Sequence, residues 1–205
     1  DIEKGGNILL GAAIKEDFHL SFPFAFKYED DYFMTVESSD NQSISLYKCN
    51  GDPLNWSCVY RYRPFRNSKP LDPLIWFQED YWWLCFSIKN EMYLYYSDNP
   101  TIESKWIPHQ KNPVLIDEEY CRNGGLIEEN KTIYRVSQSS GFNNYGKRIS
   151  LMKIISISPN YYEESKLMDY IPKINFRYKG IHTLSSKKKI SVLDTWMYEK
   201  VFSRR

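Results

Sequence analysis

The sequence predicts an all-β fold, a β-propeller built from four-stranded antiparallel blades. Three observations support this prediction. Units of strand, tight turn and strand recur along the chain, a short polar segment precedes each unit, and no stretch shows the 3.6-residue apolar period of an amphipathic helix. The polar segments return about every 50 residues, a spacing typical of propeller and array repeats. We therefore expect about four blades in one domain.

The inner strands are predicted from four hairpin patterns in which apolar and polar residues alternate on both sides of a polar turn. These patterns are Phe26–Ser39, Phe77–Phe86, Ile127–Gln138 and a weaker copy, Thr183–Asp194. The polar segments that lead into them are His19–Pro23, Asp72-Pro73, Arg122–Gly125 and Gly180–His182. Each hairpin with its leading segment is expected to form the inner half of one blade.

The outer half of each blade is predicted from shorter strand patterns. Third strands are expected at Ser43–Lys48, Met92–Tyr96 and Ile149–Ile155, and the outer parts at Trp56–Tyr60, Trp106 and Tyr161–Ser165. His109–Pro113 is interpreted as a turn, with His109 at the surface. No Gly/Ser-rich or Pro-rich linker divides the chain, so we predict one propeller domain over residues 5–196. Residues 197–205 are predicted to be a tail that forms a frayed helical turn.

Composition limits the classes of partner. Lys and Arg number 27 and Asp and Glu 26, so the formal net charge is +1 and no global field attracts nucleic acid. The basic run Lys187–Lys189 is interpreted as a solvated turn. Aromatic residues make up 17% of the chain and suit half-buried strands and sugar-stacking walls alike, with sheet packing as the first interpretation.

The cysteines favour neither a metal site nor a cofactor. Cys49, Cys58, Cys85 and Cys121 form no C-x-x-C pair, and no histidine stands at zinc-finger spacing. The apolar stretch Ile8–Ile14 is too short to span a bilayer, and the start of the sequence lacks a signal-peptide pattern. We expect reduced thiols, no membrane span and a cytoplasmic location.

A propeller brings the starts of its inner strands together at one mouth of the central channel. The polar residues at those starts are His19, Ser21, Asp72, Arg122 and His182. Burying such side chains without partners costs several kcal/mol each, so core packing does not explain their recurrence. We predict that they share one pocket although about 50 residues separate successive members.

Carboxylates and an amide at the ends of the second strands extend this pocket. Glu37, Gln138 and Asp194 occupy those ends, and with Asp72 they supply three carboxylates. Glycosidic-bond chemistry uses two carboxyl groups in different environments, one as acid and one as base or nucleophile. This combination predicts a carbohydrate-active site.

Each of these residues also has a structural interpretation. Asp72 can begin a turn before Pro73, Glu37 can be an exposed strand end, and Arg122 can form a structural salt bridge rather than clamp an anion. The two histidines can be satisfied structural residues. Gly124-Gly125 permits either a tight turn or the close approach of a ligand.

An ordered set of short motifs runs through roughly residues 5–195. Its members are His19, Ser21–Pro23, Val36–Ser38, Leu46-Tyr47, Trp56, Asp72, Trp82–Leu84, Trp106, His109, Asn112-Pro113, Arg122, Gly124-Gly125, Tyr134-Arg135, Gln138, Tyr145-Gly146, Gly180 and His182-Thr183. This set resembles a known family, the β-propeller domain at the N-terminus of plant glucosamine inositolphosphorylceramide transferases. Related bacterial proteins join such a domain to a formyltransferase, and the fold is similar to the five-bladed propellers of furanosidases.

The resemblance implies a five-bladed type of propeller of which about four blades are present. The family usually has Tyr where Phe22 stands and Pro where Val36 stands. It also has an earlier blade, with an acidic lead-in, before the strand matching Asn7–Gly11. The first blade is therefore expected to be incomplete or missing here, in either a fragment or a shortened form.

Two main functions are predicted. In the first, the domain transfers or cleaves a glycosyl unit, with Asp72, Glu37 and His182 as catalytic residues and with His19, Ser21, Arg122, Gln138 and Tyr145 as substrate-binding residues. In the second, it is a non-catalytic carbohydrate-binding or scaffold propeller attached to a transferase. A third possibility is a protein-interaction propeller that uses its outer loops. The expected ligand is a sugar, glycan or nucleotide sugar, and the expected partner is a fused or associated transferase domain.

Overall fold

The computed structural model describes residues 10–139, 146–171, 178–187 and 190–197. These residues form fifteen strands and one short 3-10 turn, Glu103–Lys105, and they contain no α-helix. The strands belong to three sheets. The prediction of an all-β fold is therefore confirmed.

The first sheet is an antiparallel meander that corresponds to the first predicted blade. Its strands pair in chain order. They are β1 (Ser21–Tyr28), β2 (Asp31–Ser38), β3 (Ser43–Cys49) and β4 (Trp56–Tyr62). Side chains of β2 and β3 are buried on both faces near Glu37, so the sheet is covered on both sides there.

The second sheet repeats this order, but its outer part is built from two very short strands. The three long strands are β5 (Leu71–Gln78), β6 (Tyr81–Ile88) and β7 (Glu91–Ser97). Both β8 (Ile107–Pro108) and β9 (Leu115–Ile116) pair with β7, at opposite ends of it. The outer part that was predicted to begin at Trp106 therefore consists of these two segments.

The third sheet contains the third predicted blade and also the fourth hairpin. The blade consists of β10 (Arg122–Glu129), β11 (Thr132–Gln138), β12 (Ile149–Ser158) and β13 (Tyr161–Tyr170). The hairpin consists of β14 (Tyr178–Lys187) and β15 (Ile190–Met197), and β14 joins β10 in parallel. Met197, predicted to begin the tail, ends β15, and residues 198–205 lie outside the described residues.

All four inner hairpins carry the same irregularity near the start of their first strand. In the first hairpin, Ser21 lies opposite Glu37 but Phe24 lies opposite Thr35, so β1 holds one extra residue. The other hairpins show equivalent shifts at Leu71/Leu74, Asn123/Gly125 and Ile181/Leu184. A β-bulge bends the strand and changes the direction of a side chain. Because the bulge recurs in all four hairpins, each polar lead-in contains one residue whose side chain is redirected in this way. Asp72 and His182 occupy matching places in these bulges.

The glycine pair after Arg122 is required by the neighbouring strand. A Cβ atom on Gly124 would lie 2.5 Å from the backbone oxygen of His182. A Cβ atom on Gly125, which has a φ of +142°, would lie 2.1 Å from the backbone oxygen of Leu184. The pair lies within β10, so the tight turn considered from sequence is wrong, while the approach of a ligand stays a prediction. The glycines allow β14 to approach β10 closely.

Apolar and aromatic side chains fill the spaces between neighbouring sheets. One cluster joins the first and second sheets, and its members include Phe26, Phe33, Leu46, Phe86 and Trp106. Another joins the second and third sheets, and its members include Leu74, Trp83, Met92, Ile133 and Ile154. The aromatic residues named here therefore pack in the core between sheets, in agreement with sheet packing as the first interpretation of the aromatic content. The second sheet lies between the other two, with β5 close to both β1 and β10.

His109 is not a surface residue, so its interpretation as part of a surface turn is wrong. Its side chain is buried, and burial lowers its pKa. Its Nδ1 atom accepts a hydrogen bond of 3.1 Å from the backbone N–H of Lys111, and its ring lies near that of Trp83. The side-chain amide of Asn112 donates a hydrogen bond to the backbone oxygen of Leu94 and accepts one from its N–H group, which replaces the pairing of a neighbouring strand at this point. The turn thus covers the part of β7 that lies between its pairings with β8 and β9.

Two further predictions concern the thiols and the membrane. Cys49, Cys58, Cys85 and Cys121 are all free, as expected. Within the described part of the chain, helices of the length and apolarity needed to cross a bilayer do not occur. The cytoplasmic location stays a prediction.

Candidate functional site

Asp72 lies at the centre of a polar cluster formed by the starts of the inner strands. Its bulge gives it a φ of +54°, and its side chain is buried with a residue exposure of 2%. Arg122, at the start of β10, binds both carboxylate oxygens through Nε to Oδ2 and through Nη2 to Oδ1 at 3.0 Å. Such a two-pronged pair fixes the carboxylate in both position and orientation.

Glu37, at the end of β2, faces Asp72 from the first sheet. It is 6% exposed, and its Oε2 atom accepts a hydrogen bond from the backbone N–H of Asp72. Burial and then the charge of Asp72 raise the pKa of Glu37 to about 7, although that N–H group and Arg122 oppose the shift. The structural alternative of an exposed strand end is therefore wrong for Glu37.

The two carboxyl groups differ in how their charge is compensated. Burial raises the pKa of Asp72, while the hydrogen bonds and charge of Arg122 oppose this, together with His182 and Gln138. The guanidinium contacts Asp72 directly and so favours the charged form of Asp72, whereas burial and the charge of Asp72 favour the protonated form of Glu37. A proton donor and a carboxylate thus stand side by side near neutral pH.

His182 approaches the cluster from β14 and is oriented by Asp194. The Oδ1 atom of Asp194 accepts hydrogen bonds from the backbone N–H groups of His182 at 2.9 Å and Thr183 at 2.5 Å. Its Oδ2 atom lies 3.3 Å from Nδ1 of His182. Although burial opposes the change, the two backbone hydrogen bonds and His182 lower the pKa of Asp194. Asp194 stays ionised and directs Nε2 of the ring away from itself.

Two amide side chains support the cluster from the third sheet. Gln138, at the end of β11, is 2% exposed and donates a hydrogen bond of 2.7 Å to the backbone oxygen of Asn123. It also lies close enough to the carboxylate of Asp72 to oppose the rise in the pKa of that group. Asn123 donates from Nδ2 to the backbone oxygen of Asp72 at 2.8 Å. These contacts tie the second and third sheets together at the cluster.

The structure brings together five of the eight predicted site residues: Glu37, Asp72, Arg122, Gln138 and His182. Ser21 lies opposite Glu37 in the β1–β2 pairing and is half-buried. His19 is exposed, and its backbone N–H donates to Asp40 at 3.1 Å, which does not join it to the carboxylates. Tyr145 lies outside the described residues. The geometry brings these groups together, and their roles in binding or catalysis stay predictions.

Sequence reasoning gave no role in the site to three residues that support it: Asn123, Arg135 and Glu164. Arg135 is fully buried and forms a two-pronged ion pair with Glu164, with distances of 2.9 and 2.5 Å. The spacing of residues along β11 could have identified Arg135. Arg135 lies two residues from Ile133 and two from Ser137, so all three side chains point to the same buried face of the strand. A charged residue in phase with core residues requires a buried partner.

The raised pKa of Glu37 predicts a specific pH dependence of folding. A carboxyl group with a raised folded-state pKa stabilises the fold fully below its ordinary pKa, 4.5, and this contribution is lost as the pH rises through about 7. Glu37→Gln keeps an oxygen to accept the N–H of Asp72 but cannot ionise. We expect the variant to be more stable than the wild type at pH 8, by on the order of 2 kcal/mol, with a smaller difference at pH 5.

Urea denaturation at both pH values measures this difference. Glu128→Gln, in an exposed position at the far end of β10, is the control and should leave the pH dependence unchanged. A Glu37→Gln variant that retains the wild-type pH profile would show that Glu37 does not hold the proton.

Similarity to known proteins supports the fold and defines the family. The family model described as glucosamine inositolphosphorylceramide transferase 1, N-terminal, matches residues 3–195. A protein named glucosamine inositolphosphorylceramide transferase 1 from Arabidopsis thaliana is 35% identical over 167 residues, which cover 76% of this chain and 21% of that protein. Its counterpart from Oryza sativa subsp. japonica is 32% identical over the same length, covering 22% of that protein. The chain thus spans about a fifth of these curated relatives.

Solved structures share the architecture at low sequence identity. The α-L-arabinofuranosidase from Lactobacillus brevis superposes with a TM-score of 0.62 and 12% identity, covering 88% of this chain and 66% of that one. The GH32 β-fructofuranosidase BmSUC1 from Bombyx mori gives a TM-score of 0.57 and 16% identity, covering 93% of this chain and 46% of that one. At these identities the similarity concerns the propeller fold. Together with the match over residues 3–195, these findings establish that the chain belongs to the glucosamine inositolphosphorylceramide transferase 1 N-terminal family.

Proposed function

We propose that this domain binds a sugar-containing ligand over the carboxylate cluster and acts in glycosyl transfer or glycoside cleavage, with Glu37 as the proton donor. One observation carries the proposal: two buried carboxyl groups, Glu37 and Asp72, stand side by side in different electrostatic environments. A protonated carboxyl near neutral pH can protonate a leaving-group oxygen, while an ionised neighbour stabilises positive charge on the sugar ring.

The accessible members of the cluster give the ligand its other contacts. The side chains of Arg122 and His182 are 16% and 19% exposed, more than the buried carboxylates. Arg122 presents a cation beside the acidic pair, and His182 is held in one orientation by Asp194. In this proposal Arg122 contributes positive charge toward hydroxyl or phosphate oxygens of the ligand, whereas Nε2 of His182 is buried and would contact a ligand only after a local rearrangement.

The names of the curated relatives suggest the class of ligand. Both are called glucosamine inositolphosphorylceramide transferases, so an amino sugar, its nucleotide-activated form and an inositol phosphate head group are the first candidates. Because this chain corresponds to about a fifth of those proteins, the remaining parts of a longer protein would supply a further transferase domain. The propeller would then share the reaction with that domain.

A second candidate function is non-catalytic sugar binding, and the Asp72–Arg122 pair favours it. Arg122 occupies both oxygens of Asp72, and Asp72 is 2% exposed. A buried carboxylate with both oxygens bound by arginine can stabilise a binding surface, but its oxygens are not available to act on the scissile bond of a ligand. In that case Glu37 would line the pocket but would not transfer its proton.

Two measurements on the same variants separate the candidates. Isothermal titration calorimetry would use glucosamine, UDP-N-acetylglucosamine and inositol 1-phosphate as probes, and a turnover assay would follow sugar release and transfer from the ligand that binds. Loss of a general acid in Glu37→Gln is expected to lower kcat by about 100-fold or more with binding retained. Glu128→Gln should match the wild type in both measurements. Binding without turnover in the wild type supports the binding module, and the absence of binding by every probe contradicts both candidates.

A further inference from the structure

The unusual backbone of Asp72 is held by two side chains rather than by regular strand pairing. Its N–H group donates to Glu37, and its carbonyl oxygen accepts from Nδ2 of Asn123 at 2.8 Å. The bulge in β5 interrupts the ladder at this position, and Asp72 has a φ of +54°. Asp adopts this left-handed conformation more readily than most residues, and the two hydrogen bonds hold its backbone there.

The side-chain amide of Asn123 can point in only one direction. Its Oδ1 atom accepts a hydrogen bond of 3.1 Å from Nη1 of Arg135. Arginine has only donors, so the amide must turn its oxygen toward Arg135 and its NH2 group toward the carbonyl of Asp72. Asn123 is fully buried, and this orientation satisfies both ends of the amide.

Arg135 is itself fixed from the outer side of the third sheet. Beyond its ion pair with Glu164, it donates from Nη2 to the backbone oxygen of Tyr120 at 2.9 Å. Tyr162 donates to Oε2 of Glu164 at 2.6 Å, so the acceptor is also held in place. The contacts form one continuous chain from β13 through β11 and β10 to Asp72 in β5. Burying this ion pair costs desolvation free energy, and an apolar pair would stabilise the fold at least as well.

We infer that Asn123, oriented by Arg135 and Glu164, is a positioning residue that fixes the left-handed backbone of Asp72 and so holds its carboxylate between Arg122 and Glu37. The inference deepens the proposed function, since the same carboxylates would serve the ligand, but its test uses no ligand. Without the anchor, the bulge relaxes, water enters between the two sheets, and Glu37 loses the environment that keeps it protonated.

The titration of Glu37, followed through its side-chain carboxyl carbon by NMR, tests the inference. The groups that face Glu37 and Asp72 are Arg122, His182 and Gln138. Burial is the largest cause of the raised pKa of Glu37, so admitting water should lower it. In Asn123→Ser we expect a fall of about one pKa unit, a tenfold loss of proton affinity. Arg135→Lys should shift the titration in the same direction, because an ammonium group cannot bridge Glu164 and Asn123 as the guanidinium fork does.

Arg148→Lys is the matched control. Its guanidinium pairs with Glu119 at 2.9 Å near the start of β12, and this pair is not linked to Asp72 by the hydrogen bonds described above. If Asn123→Ser does not fold, Arg135→Lys decides the question. An unchanged titration of Glu37 in the folded variants, or an equal shift in Arg148→Lys, would overturn the inference. Failure of the proposed function would leave the titrations unaltered and would be seen only in the ligand assays.

Discussion

Gly125→Ala is expected to unfold most of the protein under conditions in which the wild type is folded. The added Cβ atom would lie 2.1 Å from the backbone oxygen of Leu184, and real Cβ atoms do not approach an atom so closely. The backbone φ of +142° adds strain for any L side chain. Relief requires β10 and β14 to separate, which breaks the connection between the third blade and the fourth hairpin. We expect a loss of about 4 kcal/mol or more, against a total stability of about 5–15 kcal/mol for a typical domain.

Gly51→Ala provides the control for this prediction. Gly51 also has a positive φ, +84°, but a Cβ atom there would meet nothing within 4 Å. Its substitution should therefore lower the free energy of unfolding only by the backbone strain of an L residue at positive φ, about 1–2 kcal/mol. Urea denaturation followed by tryptophan fluorescence compares the two variants. Equal midpoints for Gly51→Ala and Gly125→Ala would mean that the approach of β14 contributes nothing, and the assignment of β14 to the third sheet would then be wrong.

The hairpins could be predicted from sequence because their signals are local. Alternation of apolar and polar residues fixes the faces of each strand, and two-residue turns fix the register. Two of these turns place both central residues at positive φ, Glu79-Asp80 and Asn130-Lys131. Asn and Asp accept this conformation more readily than most residues, and the turns contain them where glycine is absent. The repeat was then enough to predict that Asp72, Arg122 and His182 converge.

Features that depend on contacts between sheets were not predictable in the same way. The burial of His109 depends on the neighbouring Trp83, and the need for Gly125 depends on a strand about 60 residues away, at a separation where sequence periodicity gives no information. The partner of Arg135 is Glu164 in another strand, and many exposed carboxylates offered the same charge. Sequence shows that a buried arginine needs a partner, but only the arrangement of the sheets selects one.

Arg122→Met is expected to destabilise the fold by about 3–5 kcal/mol at neutral pH. The substitution keeps the apolar stem of the side chain but removes the cation that holds both oxygens of Asp72. Asp72 would remain buried without the cation that favours its charged form, so its pKa would rise further. A raised pKa of an acid favours folding at low pH, so the destabilisation should be largest at pH 8 and should shrink as the pH falls toward 5. Chemical denaturation at the two pH values measures this trend.

Removing the charge of Asp72 as well should reverse most of the loss, because the cost lies in an uncompensated carboxylate rather than in a missing attraction. We therefore expect the double variant Arg122→Met/Asp72→Asn to be more stable than Arg122→Met alone at pH 8. Arg63→Met, at an exposed position outside the cluster, should change stability only slightly. If the double variant is as unstable as Arg122→Met at every pH, the guanidinium acts mainly through packing. If instead the double variant recovers stability, the main role of Arg122 is to compensate the charge of Asp72. An anionic ligand would then have to bind to the Arg122–Asp72 pair without displacing the carboxylate.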